Sequence, residues 1–176
     1  MQPLVRSLTT LAFLALFVGT GEAQERHFTV SGSLGSGLSF GSAGGETRMR
    51  RAPLFLDAEF RSWVSESGNV RDPVVGLALR MEVEGRASVA FVPRVGLMRK
   101  LGRMEFRPFL GAVAFVAPFS LVGAELGAEM ALTVHGRSRL IVTALADAYV
   151  WGSDLPDGSA LVTVAATVGF EVVINP

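Results

Sequence analysis

From Phe28 onward, apolar and polar residues alternate with a period of two, the spacing of strands whose two faces meet different surroundings. The pattern resolves into eight segments. In the first, Phe28, Val30, Leu34, Leu38 and Phe40 share one face, and His27, Thr29, Ser31, Ser33, Gly35, Gly37 and Ser39 share the other. The second sets Leu54, Leu56, Ala58, Phe60 and Val64 against Asp57, Glu59, Arg61 and Trp63, and the third sets Val75, Leu77, Leu79, Met81 and Val83 against Arg80, Glu82 and Glu84. The fourth pairs Val89, Phe91, Val95 and Leu97 with Ser88, Ala90, Arg94 and Gly96, and the fifth Phe106, Leu110, Ala112, Ala114 and Val116 with Glu105, Arg107, Phe109 and Gly111. The sixth runs from Val122 to Val134 with Glu125, Gly127, Glu129 and Thr133 on its polar face. The seventh has Leu140, Val142, Ala144, Ala146 and Val150 opposite Arg139, Thr143, Asp147 and Tyr149. The eighth has alternate apolar positions from Ala160 to Ile174 opposite Thr163, Thr167, Gly169 and Glu171. Pro93 and Pro108 cannot donate to a ladder, so each is expected at a bulge or a pairing end, and a slip near Pro93 would exchange the faces beyond it.

Segments of about 9 to 13 residues suit a bilayer crossing at about 45°, whereas strands of soluble domains run to about 5 or 6. Lipid does not tolerate an open sheet edge, so an even number of such strands is expected to close into an antiparallel up-and-down barrel. With both ends of the chain on the periplasmic side, residues 66–72, 99–103 and 135–138 become periplasmic turns, and residues 41–52, 84–86, 117–121 and 152–158 become outward loops.

The beginning of the chain fits export. Residues 1–23 carry one basic residue, Arg6, then an apolar run from Leu11 to Val18, then Gly19-Thr20-Gly21-Glu22-Ala23 with small residues where a signal peptidase reads. The run is far short of the roughly 20 apolar residues of a spanning helix, so residues 1–23 read as a cleaved signal and residues 24–176 as one barrel domain. Cysteine is absent, which excludes disulfides and thiol chemistry. Acidic and basic residues balance, nearly all the bases are arginine, and Lys100 is the sole lysine, so nothing supports a nucleic-acid partner. Positive mean hydropathy with abundant glycine suits a chain whose outside is partly oil.

The final strand, Thr167-Val168-Gly169-Phe170-Glu171-Val172-Val173-Ile174, resembles the closing strand of outer-membrane β-barrels. In that resemblance Thr167, Gly169, Val172 and Ile174 carry an insertion signal, which implies barrel-assembly machinery as a partner during biogenesis. Residues 24–176 as a whole resemble the small eight-stranded outer-membrane barrels, the class of the outer-membrane protein A transmembrane domain, through the general pattern and no family-specific motif. The chain departs from the class by ending Val172-Val173-Ile174-Asn175-Pro176 instead of on an aromatic residue, and by its thin aromatic girdles. The resemblance implies the outer membrane of a Gram-negative bacterium. The competing fold is a soluble lipocalin-like barrel, whose apolar face would line a ligand cavity.

Charge gathers on the polar face: Asp57, Glu59, Arg61, Arg80, Glu82, Arg94, Glu105, Arg107, Glu125, Glu129, Arg139, Asp147 and Glu171. An eight-stranded barrel is just wide enough to be filled by side chains, so these groups must pair. A sealed ion-paired lumen with a structural envelope role follows, and a narrow pore for small solutes would use the same residues. A subunit of an envelope assembly is a further reading. Arg48, Arg50 and Arg51 stand together in an outward loop, where guanidinium forks suit lipopolysaccharide phosphates. Some small barrels modify lipid A, which needs a histidine with a serine and a carboxylate at the outer rim. His27 and His135 both fall at the periplasmic rim, and the combination His135, Ser138 and Glu129 has no motif behind it, so no catalytic residue is assigned. Two histidines without cysteine assign no metal site, and no cofactor motif is present.

Overall fold

The computed structural model describes residues 25–43, 46–65, 72–84, 87–153, 155–156 and 158–174. The expected signal sequence lies outside them, as does most of the turn at residues 66–72.

Alternation becomes nine antiparallel strands: β1 (Glu25–Ala43), β2 (Glu46–Arg51), β3 (Phe55–Ser65), β4 (Asp72–Glu82), β5 (Ser88–Leu101), β6 (Met104–Ala117), β7 (Leu121–His135), β8 (Ser138–Gly152) and β9 (Ala160–Val173). Each strand pairs with its neighbours in the sheet, and β1 also pairs with β9 from Thr29↔Val173 to Ser42↔Ala160, which closes the barrel; β2 pairs with β1 alone among the described residues. The barrel is eight-stranded because β2 and β3 pair with different parts of the same edge of β1 and together form one stave. Closure demands space along the β1–β9 seam. A Cβ on Gly169 would lie 2.1 Å from the Gly32 carbonyl oxygen, and one on Gly37 would lie 1.9 Å from that of Val164.

The broken stave corrects one sequence expectation. Residues 41–43 and 46–51 form no loop; they pair as the ends of β1 and β2, which run past the ends of β3 and β4 while β9 accompanies β1 as far as Ser42↔Ala160. Leu38 stands opposite Arg51 and Gly35 opposite Phe55, so β1 spends two residues between these pairs while the other chain spends three, Ala52-Pro53-Leu54. The extra residue is a bulge that reverses the parity of the faces. Even-numbered Arg48 and Arg50 continue the lumen face above the bulge, opposite Gly41 and Ser39, whereas odd-numbered Asp57 and Glu59 occupy it below. The Ala52 N–H donates to the Gly37 carbonyl at 2.8 Å and Ser36 Oγ to the Ala52 carbonyl at 3.1 Å, which pins the break.

Neither proline sits at a bulge. The β5–β6 register is the same from Ala90↔Phe115 to Leu101↔Met104, and its one shift lies between Val89 and Ala90. Pairing skips from Phe91↔Ala114 to Arg94↔Gly111 and from Gly96↔Phe109 to Arg99↔Phe106. One missing donor removes two successive pairs of an antiparallel ladder. The gaps therefore mark Pro93 facing the Ala112 carbonyl and Pro108 facing the Leu97 carbonyl, both on one seam, and the faces of β5 do not exchange.

The faces are inverted relative to a soluble protein. Val30, Phe60, Phe91, Leu110, Leu126 and Val168 are exposed, while Asp57, Arg80, Glu125, Glu129 and Glu171 are at most 5% exposed. Outward charge is confined to strand ends, at Arg26 and Arg99 near the chain termini and Arg51 at the far end. On β7 the apolar positions from Val122 to Val134 cover about 40 Å of strand, which at a tilt of about 45° matches a hydrocarbon core of about 30 Å. A soluble barrel of the lipocalin kind, with its apolar face inward, is thereby excluded. Two-residue Gly-Arg turns join β5 to β6 and β7 to β8, with Gly102 at φ 67° and Gly136 at φ 52°, so the first is tighter than the span 99–103 expected from sequence.

Candidate functional site

The lumen charges arise from strand geometry. Residues two apart on a strand share a face, which stacks Asp57, Glu59 and Arg61 on β3 and Glu105 and Arg107 on β6. Register then brings opposite charges face to face: Asp57↔Arg80, Arg107↔Glu129 and Arg139↔Glu171. Glycines flank the bulkiest cations. Gly76 lies opposite Arg61 and Gly111 opposite Arg94, and a Cβ at Gly76 would stand 2.5 Å from Glu59 Oε1.

Twelve of the thirteen sequence-selected charges form one connected network of five arginines and seven carboxylates. The layer nearer the chain termini is built on Arg61, Arg107 and Arg139. Arg61 donates to both oxygens of Glu59, at 2.6 and 2.9 Å, to both oxygens of Glu129, at 2.5 and 2.6 Å, and to Glu171 at 3.2 Å. Arg107 grips Glu171 through two nitrogens, at 2.7 and 2.8 Å, and also meets Glu129 and Glu105. Arg139 bridges Glu105 and Glu171 at 3.0 Å.

The second layer rests on Arg80 and Arg94. Arg80 is bidentate on Asp57, at 2.8 and 2.9 Å, and reaches Glu125 at 2.7 Å and Asp147 at 2.8 Å. Arg94 is bidentate on Glu125, at 2.6 and 3.1 Å, touches Asp57 at 2.9 Å, and meets Glu59, which joins the layers. Planar guanidinium forks suit this many-sided pairing, which a lysine ammonium would not reproduce. Three of the arginines also lie over aromatic rings: Arg80 on Phe55 at 4.7 Å, Arg94 on Phe109 at 5.0 Å and Arg139 on Trp63 at 5.9 Å.

Glu82, the thirteenth residue, stands apart at the end of β4, half-buried and accepting from Ser88 Oγ at 2.7 Å. The cavities inside the charged layer, lined by Glu59, Arg61, Arg94 and Glu129, have volumes of about 20 and 10 Å³. Each is about the size of a single water. The charges thus fill their own layer.

Apolar side chains on the lumen face cap this layer; alternation places Trp63, Ala90 and Tyr149 on that face but leaves Val92, Met98, Val113, Phe115, Leu121 and Val173 unnamed. Trp63, Met98 and Val173 close it toward the chain termini, while Ala90, Val92, Val113, Phe115, Leu121 and Tyr149 pack toward the far end. Their signal was runs such as Ala112-Val113-Ala114-Phe115-Val116, apolar on both faces, where Val113 and Phe115 fall inside only by continuing the phase set at Glu105 and Arg107. Beside Phe115, Leu121 and Tyr149 the barrel opens into a vestibule of about 430 Å³ that reaches down to Arg80 and Asp147 and has Arg50 and Arg51 of β2 at its rim.

Among the remaining sequence candidates, Arg48, Arg50 and Arg51 are exposed on the hairpin but do not share one face, and Arg51 pairs with Glu84 at 3.2 Å. His27 stacks on Trp63 with ring centroids 5.3 Å apart. His135 and Ser138 are exposed across a two-residue turn, while Glu129 is 1% exposed and held by Arg61, Arg107 and the Thr143 hydroxyl. On the closing strand Thr167 and Gly169 face inward, Val172 and Ile174 face outward, and the Ile174 N–H donates to the Phe28 carbonyl at 2.8 Å.

No family model matches the sequence, and no curated protein matches it. Among solved structures, the chain is similar to Ail, the attachment invasion locus protein of Yersinia pestis, at 13% identity with a TM-score of 0.50, covering 84% of this chain and 99% of that one. Ail in complex with the heparin analogue sucrose octasulfate is matched at 15% identity and a TM-score of 0.47, covering 84% and 99% of the two chains. Neisserial surface protein A is matched at 8% identity and a TM-score of 0.48, covering 82% and 96%. At such identities the likeness is one of fold: that of the small eight-stranded outer-membrane β-barrels.

Proposed function

We propose that this protein is a non-enzymatic β-barrel of a Gram-negative outer membrane, exported by residues 1–23, with an envelope role and a lumen sealed by its own ion pairs. The inverted arrangement of faces carries the reading. In water an apolar surface running around the whole barrel would be unstable as a monomer, whereas in a bilayer the buried charges are the groups that need shielding. Five guanidinium groups are each shared among two or more carboxylates, which leaves no open path through the charged layer. The paired ends of β1 and β2 then stand at the outer end of the barrel beside β9. Arg48, Arg50 and Arg51 reach headgroup level there, where lipopolysaccharide phosphates are the matching anions. Thr167, Gly169, Val172 and Ile174 would present the closing strand to the assembly machinery.

Membrane fractionation followed by gel migration with and without boiling tests this reading. Recovery with outer membranes and faster migration before boiling are expected. A soluble protein without a heat-dependent shift would overturn it.

A further inference from the structure

The vestibule has a floor, walls and a rim of different chemistry. Its walls are Phe55, Phe115, Phe119, Leu121, Tyr149 and Leu161, with Phe115 lying 5.6 Å from Phe119 and 6.0 Å from Tyr149 between ring centroids. Asp147 contributes to the floor. It is 3% exposed, and its Oδ2 accepts from Arg80 at 2.8 Å and from the Tyr149 hydroxyl at 3.3 Å, while its Oδ1 has no partner although it is buried. A buried carboxylate oxygen left without a donor is a costly arrangement. Asp147 lines the vestibule, so a turn of its carboxylate would offer this oxygen to a donor in the cavity.

Charge selects among donors. The network beneath holds seven carboxylates and five arginines, two negative charges in excess when all are ionised. Arg80, the cation nearest Asp147, is already shared by Asp57, Glu125 and Asp147. At the rim, Arg51 is paired with Glu84, and the lining holds one further cation, Arg50, and one further carboxylate, Glu82. Aromatic faces above a carboxylate favour a cation over a neutral donor, and a volume of about 430 Å³ is in the range of small-molecule sites.

We propose that the vestibule binds a small primary ammonium compound bearing an apolar group, its ammonium on Asp147 Oδ1 and its apolar part against Phe115, Phe119 and Leu161. The site opens above the charged layer and draws on a single carboxylate of it, Asp147, so it stands whether or not the lumen conducts.

The probe is 2-phenylethylammonium, titrated into the protein in phosphatidylcholine nanodiscs and followed by calorimetry, with 2-phenylethanol and phenylacetate as separate arms. Saturable binding of the ammonium is expected, with the alcohol and the Asp147→Asn variant each weaker by about tenfold or more and phenylacetate not binding. Leu161→Trp, which fills the vestibule and leaves every charge in place, is expected to abolish binding and decides the matter if Asp147→Asn fails to fold. Absence of saturable binding, equal binding of ammonium and alcohol, or undiminished binding by Leu161→Trp would each overturn the proposal.

Discussion

Replacing Arg61 with methionine removes the most connected cation of the lumen while keeping much of its apolar stem. Five hydrogen bonds disappear, two to Glu59, two to Glu129 and one to Glu171. No carboxylate is stranded completely. Glu59 keeps Arg94, Glu129 keeps Arg107 and Thr143, and Glu171 keeps Arg107 and Arg139. The network nevertheless goes from two to three excess negative charges in a layer that water does not enter freely. Breaking one side of a buried pair costs about 3 to 5 kcal/mol, and the surviving partners place Arg61→Met near the lower bound, about 3 kcal/mol. The assay is reversible urea unfolding of the protein refolded into phosphatidylcholine vesicles, followed by tryptophan fluorescence, with the slope checked for constancy. The compensating variant Arg61→Met/Glu129→Met is expected to recover part of the loss, because removing a carboxylate relieves the excess charge. A loss below about 0.5 kcal/mol in the single variant, with the barrel still folded, would refute a lumen held by its ion pairs.

Gly169→Val places a side chain where the Gly32 carbonyl oxygen is 2.1 Å from an ideal Cβ, so the β1–β9 seam should not close and the heat-dependent gel shift should vanish; a normal shift would show that the seam is looser than described. Leu126→Arg, at a position 60% exposed in the middle of β7, is expected to destabilise the protein in vesicles by about 2 to 4 kcal/mol, as an arginine does at the bilayer midplane; a change below about 0.5 kcal/mol would mean that this face does not meet lipid. Pro93→Val supplies the donor that the Ala112 carbonyl lacks and should stabilise the barrel by about 1 kcal/mol; unchanged or lower stability, with slippage of β5 seen in amide exchange, would contradict the assigned ladder gap.

Most of the barrel was legible because each strand carries its own inside-outside code. On β9, Val164, Val168 and Val172 against Thr167, Gly169 and Glu171 is enough to assign both faces without any partner strand. The β1–β2 hairpin was not legible for a specific reason: the one extra residue at Ala52-Pro53-Leu54 reverses parity, and a reversed pattern beside Gly44-Gly45 reads as a loop when strands are sought in a single phase. Pro93 and Pro108 suggested bulges because a proline is usually expelled from a sheet interior. Long strands paired on both sides instead tolerate the loss of one donor each, and the register holds. Which charges would meet was only half visible. Asp57 and Arg80 are cross-strand neighbours, but Arg61 with Glu129 and Arg80 with Asp147 span the lumen, a distance that depends on barrel closure and on no local pattern. The aromatic vestibule was hidden for a third reason: alternation placed Tyr149 inside, but Phe115 and Leu121 belong to stretches apolar on both faces.

Planar-bilayer recording on refolded protein that shows the heat-dependent gel shift addresses the sealed lumen most directly. Arginines clamped between carboxylates, with cavities of about 20 and 10 Å³ among them, are expected to give a flat baseline without discrete current steps. Reproducible ohmic steps from the folded protein, absent from a mock preparation, would contradict a plugged barrel and make the same charges the lining of a pore.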